Sequence, residues 1–135
     1  MLNSLWMRIV LFFSLISFLL VCCKDHQPIK IGFVGGLSGK MSELAISGRN
    51  GAILAVEEIN QAGGVNGHPI QLVVRNDWNT PEGALAAVIE LHKEKVPVII
   101  GHYISGANIG SFDYINQNKI LMISPTVRST LFSNR

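Results

Sequence analysis

Hydrophobic residues run along this chain in two alternating rhythms. Ile29-Lys-Ile-Gly-Phe-Val34 is apolar and β-branched and ends in the glycine turn Gly35–Gly39, which predicts a strand. From Ser42 to about Asn60, Leu44, Ile46, Ile53, Leu54, Val56 and Ile59 recur at mostly helical spacing, with Glu57 and Glu58 on the polar side. Gly48 and Gly51 weaken the start of that helix, and Ala62-Gly63-Gly64 ends it, since glycine takes a left-handed position without a Cβ penalty. Asn66-Gly67 predicts a tight turn. A second strand, Ile70–Arg75, runs into Asn76-Asp-Trp-Asn79. Thr80-Pro81-Glu82 then has the order of an N-cap, a proline at the first helical position and an acid in the first turn. That helix continues through Leu91. Val96–Gly101 predicts a third strand, with Pro97 tolerable near its start. Ser105 is placed to cap a third helix reaching about Gln117, and Ile120–Ser124 predicts a fourth strand closed by Pro125.

The order is therefore β-α-β-α-β-α-β. Short continuous apolar strands separated by helices predict an α/β fold: a three-layer parallel sheet with helices on both faces and strands buried on both sides. In such sheets ligands sit beyond the carboxyl ends of the strands. That rule selects Gly35–Gly39, Asn76–Asn79, His102–Ser105 and Pro125–Arg128. The sequence stops at Arg135, just after the fourth strand, in a polar stretch, so a truncated domain is expected over residues 29–135.

The first 23 residues follow a different pattern. One charge, Arg8, precedes the 13-residue apolar run Ile9–Val21. This is short of the about 20 residues of a membrane span and has the layout of a secretory signal peptide. It also accounts for much of the positive mean hydropathy, +0.35. Leu20-Val21-Cys22-Cys23 looks like a bacterial lipobox, with Cys23 as the lipid-carrying residue and Cys22 in a place usually held by a small residue. Residues 24–28 form a polar tether. The expected location is exported, periplasmic or cell-surface, with a lipid anchor to the membrane at Cys23. No cysteine follows Cys23, so no disulfide or thiol metal site is expected beyond it. After Cys23 the chain carries ten Lys or Arg and nine Asp or Glu. This near-neutral balance gives no reason to expect a nucleic acid partner.

No catalytic motif survives inspection. G-x-G-x-x-G is absent, and the phosphate-loop pattern at Val34–Met41 keeps Gly39-Lys40 but loses its first glycine and its hydroxyl residue. His26, His68, His92 and His102 do not pair at metal-ligand spacing; His102, at a strand end, is open to ligand contact or to a structural hydrogen bond. Ser38, Ser105 and Ser124 lack the nucleophile-elbow sequence. The expectation is a protein that is not an enzyme and needs no cofactor or metal.

Ile29–Gly39, Gly51–Asn60 with Gly63-Gly64-Val-Asn-Gly67, Gly101-His102 and Ile120–Pro125 together resemble the type I periplasmic binding proteins, nearest to their leucine/isoleucine/valine-binding branch. The resemblance implies the N-terminal lobe of a two-lobed clamshell that serves an ABC permease as a monomeric transport receptor. Its ligand would be an amino acid or a related small carboxylate or amide. The alternative is the extracytoplasmic ligand-sensing domain of a signalling protein such as a sensor kinase or cyclase. By the same resemblance Ser105 falls where the ligand carboxylate is held, and Tyr103, Thr126 and Arg128 fall among the neighbouring contacts. Leu44 stands where the branched-chain receptors carry an aromatic residue. Arg128 either clamps a carboxylate or stays on the rim, and Trp78 either walls the cleft or packs on its own loop. These departures leave leucine specificity open.

Overall fold

The computed structural model describes residues 26–130; the expected signal peptide and the lipobox with Cys23 lie outside the described residues. Its elements are β1 (Ile29–Gly35), α1 (Ser42–Gln61), β2 (Ile70–Asn76), α2 (Pro81–Lys93), β3 (Val98–Ile100), α3 (Ser105–Gln117) and β4 (Leu121–Ile123). The four strands form one parallel sheet in the order β2-β1-β3-β4. The first crossover therefore moves one way from β1 and the next two move the other way. Right-handed crossovers in opposite directions place their helices on opposite faces. Accordingly, α1 covers one face and α2 with α3 the other, which is the expected three-layer arrangement.

Alternation along the strands feeds two cores. Val34, Val73 and Ile99 point toward α2 and α3, where they pack with Ala87, Val88, Leu91, Val96 and Ile115. Phe33, the partly buried Leu72 and Val74, and Ile100 point the other way, against Ala45, Ala52 and Tyr103. The local signals at the ends of elements work as expected. The Thr80 hydroxyl accepts from the Gly83 N–H at 3.0 Å, with Pro81 opening α2. Asn66 and Gly67 both have positive φ, 52° and 82°, in a turn closed by mutual Val65–His68 hydrogen bonds. Two positive values are what a type I′ turn demands.

Four expectations need correction. The third strand is Val98–Ile100, not Val96–Gly101, because the Val96 N–H bonds back to the Leu91 carbonyl at 3.1 Å as part of the exit from α2. The fourth shrinks to Leu121–Ile123 for the same reason, with the Ile120 N–H held by the Ile115 carbonyl at the exit from α3. The expectation of strands buried on both faces holds at the centre of β1, where Phe33 and Val34 are fully buried, but fails at β4, where Leu121 and Ile123 are exposed. Nor does α1 bury the large apolar residues that announced it. Its buried residue is Ala45, with Ala52 packed nearby, while Leu44, Ile53, Leu54 and Ile59 are exposed.

Candidate functional site

The switch in strand order lies between β1 and β3, so the loops at their carboxyl ends and those of their neighbours meet at one edge of the sheet. Hydrogen bonds join these loops into a continuous rim. The Asn76 Oδ1 accepts from the Leu37 and Trp78 N–H groups, both at 2.9 Å, and its Nδ2 donates to Ser38 Oγ at 3.1 Å. This ties the loop after β1 to the loop after β2. On the far side, Ser124 Oγ donates to the His102 carbonyl and Thr126 Oγ1 to the Tyr103 carbonyl, each at 2.8 Å. These bonds tie the segment after β4 to the loop after β3.

Ser105 is the first helical residue of α3 and not its cap. The N-cap position belongs to Ile104, whose side chain cannot accept a hydrogen bond. The Ser105 hydroxyl is instead committed to Arg128, donating to its carbonyl at 3.1 Å and accepting from its N–H at 3.2 Å. A hydroxyl has one hydrogen, so donation to a ligand carboxylate requires it to turn away from the Arg128 carbonyl. The backbone N–H groups of the first turn lack intrahelical partners and add to the anion-binding character of this end.

The five ligand-contact candidates are thus only partly brought together. Ser105, Thr126 and the backbone of Arg128 converge, and the Arg128 side chain is exposed at the rim. Leu44 sits half-exposed on the first turn of α1 and takes no part in the hydrogen-bonded links. Tyr103 is corrected outright as a side chain facing ligand. It is 7% exposed and packs on Phe33 with ring centroids 5.3 Å apart, because the chain leaves the strand alternation after Ile100, at Gly101 with φ 133°, and Tyr103 enters the core beneath α1. Gly48 makes room for it, since a Cβ there would lie 2.2 Å from the phenolic oxygen. Burial raises the Tyr103 phenol above its ordinary value of 10.0. Trp78 is 63% exposed, with a left-handed backbone at φ 54°.

The site also contains a network that inspection of the sequence missed. His102 is fully buried; its Nδ1 lies 2.7 Å from Asp77 Oδ2 and its Nε2 lies 2.8 Å from Ser111 Oγ. Asp77 and Ser111 are fully buried as well. Of the two uses open to His102, the structural hydrogen bond is the one seen. A carboxylate can only accept, so the ring nitrogen that faces Asp77, Nδ1, is the one that donates. The constellation copies the residue types of a Ser-His-Asp triad. However, Ser111 has no exposed surface and its hydroxyl also lies 3.3 Å from the Asn108 carbonyl, so no substrate reaches it. No spacing signal could have found this network, because Asp77 follows β2 and His102 follows β3, with β1 lying between those strands.

A cavity of about 410 Å³ opens between α3 and β4, lined by Phe112, Ile115, Ile120, Met122 and Val127 among others. It includes none of Ser105, Thr126 and Arg128. Among the described residues no helix is long and apolar enough to cross a membrane, and no group of three or more His, Cys, Asp or Glu is placed to hold a metal.

Comparison with known proteins agrees with this architecture. The sequence profile of the periplasmic binding protein family matches residues 28–134. The leucine-, isoleucine-, valine-, threonine- and alanine-binding protein of Pseudomonas aeruginosa is 31% identical over 109 residues, covering 81% of this chain and 29% of the relative. The Leu/Ile/Val-binding protein of Escherichia coli is 31% identical over 99 residues, covering 73% and 27%. Among solved structures, the branched-chain amino acid transporter substrate binding protein LivJ of Streptococcus pneumoniae, in complex with isoleucine, superposes with a TM-score of 0.72. It is 31% identical, over 76% of this chain and 30% of that one. This chain spans only about 30% of the length of the relatives it matches. The profile match over most of the sequence, the identity to these receptors and the shared parallel sheet together place the chain in the periplasmic binding protein family.

Proposed function

We propose that the protein is the solute-binding receptor of an ABC transporter, exported and held at the membrane by lipid on Cys23, and that it captures an amino acid or a related small carboxylate or amide. The observation that carries this is the convergence of Ser105, at the first turn of α3, with Thr126 and Arg128 after β4, at the carboxyl edge of a parallel sheet. First-turn N–H groups and a hydroxyl suit a carboxylate. Thr126 Oγ1, its hydrogen spent on Tyr103, retains lone pairs for an ammonium or amide donor. The exposed Arg128 guanidinium lies close enough in sequence to this point to add a bidentate carboxylate contact, and Trp78 stands exposed as a wall for the cleft. The chemistry of these groups is binding, so the protein acts without catalysis and passes its ligand to a permease.

Calorimetric titration of the full-length protein with an amino-acid panel tests the reading. Binding of at least one amino acid or amide is expected, and silence at millimolar concentration throughout the panel would sink the ligand class. Ser105→Ala is expected to weaken binding by about 1.5–3 kcal/mol, the worth of one hydrogen bond to a charged group. Unchanged affinity would remove Ser105 from the site. For the anchor, Cys23→Ser is expected to release the protein from membranes into the soluble fraction.

A further inference from the structure

We infer that His102 is the positioning residue of the ligand site, a buried keystone that holds the loops after β2, β3 and β4 in one register so that Ser105 and Thr126 face the same point. The inference rests on the proposed function for its ligand, but its structural half stands on hydrogen bonds alone.

His102 is the one residue of the rim bonded through both ring nitrogens and its carbonyl to three separate segments. Nδ1 meets Asp77 of the loop after β2, Nε2 meets Ser111 in α3, and the carbonyl accepts from Ser124 at the end of β4. Asp77 is itself pinned. Its N–H donates to the Gly35 carbonyl at 3.2 Å, its Oδ1 accepts from the Asn79 N–H at 2.9 Å, and its own carbonyl accepts from the Thr80 N–H at 3.0 Å. The chain of contacts thus runs from the end of β1 through Asp77 and His102 to Ser124. Tyr103, the next residue, carries the Thr126 bond, and Ser105 follows three residues after His102.

The ring does not merely fill space. All three side chains of the network are fully buried, and no buried side-chain nitrogen or oxygen among the described residues lacks a partner. Removing the ring leaves Asp77 Oδ2 without its partner in the interior, with the Asn79 N–H still on Oδ1, and leaves Ser111 only the 3.3 Å contact to the Asn108 carbonyl, which is costly to the local structure. The loops then have reason to shift until water or a new partner reaches Asp77. Such a shift moves Ser105 and Thr126 apart without touching a ligand-contacting side chain.

The test uses the full-length protein and two readouts. His102→Asn keeps a donor toward Asp77 and loses Ser111; Ser111→Ala keeps His102 and removes only its distal partner. Supporting partners of ligand-holding groups are worth about tenfold to a hundredfold in affinity at metal sites. A loss of about tenfold is expected here for His102→Asn and a smaller one for Ser111→Ala, read by titration with the best amino acid of the panel. In ligand-free protein, hydrogen exchange is expected to quicken in both variants at residues 102–106 and 124–128, with little change in β1. Wild-type affinity in a folded His102→Asn protein, or unchanged exchange in those two segments, overturns the inference. If the wild-type protein binds no amino acid, the functional reading fails, and the exchange experiment still decides whether His102 positions the loops. If His102→Asn does not fold, unchanged exchange in Ser111→Ala overturns the inference and local quickening supports it.

Discussion

The two faces of the sheet are built to different standards. On the face of α2 and α3, Val34, Val88, Leu91 and Ile99 have no exposed surface, and the helices pack so closely that a Cβ on Gly110 would lie 2.1 Å from the Pro81 carbonyl oxygen. On the face of α1, the core is Phe33, Ala45 and Tyr103, and Leu44, Ile53, Leu54, Leu121 and Ile123 are exposed. Parallel sheets are ordinarily covered on both sides. The difference teaches that residues 26–130 complete one layer and leave the other partly open. The proposed ligand rim lies at the strand ends, where both layers meet.

Deletion of buried volume tests the contrast most severely. Leu91→Ala is expected to cost about 2–5 kcal/mol, the usual range for a leucine lost from a filled core. Leu54→Ala, on the exposed side of α1, is expected to stay within about 0.5 kcal/mol. Urea unfolding of the full-length protein measures both. A cost above about 2 kcal/mol for Leu54→Ala would mean that another part of the polypeptide covers α1, and the contrast would then belong to these residues alone.

Overpacking gives a second, smaller comparison. Gly110→Ala drives a methyl into backbone, whereas Gly48→Ala meets the Tyr103 ring, a side chain that can turn about its own bonds. Both are expected to destabilise by about 1–3 kcal/mol, with Gly110→Ala the more costly. The reverse order in thermal unfolding would mean that the α1 side is the more rigid.

The smallest effect is alkaline. Because burial raises the Tyr103 phenol above 10.0, the folded state holds that proton more tightly than the unfolded chain. The resulting stability is fully present below pH about 10 and is lost as pH climbs through the raised value. Absorbance titration of Tyr103→Phe beside the parent protein is expected to remove a phenol ionisation that lies above 10.0. Loss of one at the ordinary value instead would place Tyr103 in solvent and weaken its assignment to the α1-side core.

Much of the fold was legible because its signals are local. Thr80-Pro81, Asn66-Gly67 and Gly63-Gly64 act through backbone angles and caps within a few residues, and they stand where the pattern put them. The apolar runs marked four strands but overstated β3 and β4, since Val96 and Ile120 have the composition of strand and serve as helix exits. The large residues of α1 announced a helix without announcing its buried side. That side is set by Ala45 and Gly48, which let the helix approach the sheet closely and admit Tyr103.

The site divides in the same way. The alternation of elements and the rule for strand ends were enough to select the four loops, and the family resemblance pointed within them to Ser105, Thr126 and Arg128. Only the tertiary structure turned Tyr103 inward, bound the Ser105 hydroxyl to Arg128 and joined Asp77, His102 and Ser111 across β1. The sequence by itself determined which elements form, because helix caps, turns and periodicity depend on near neighbours. What those elements hold between them was decided by strand order and burial, which bring together residues far apart in the chain.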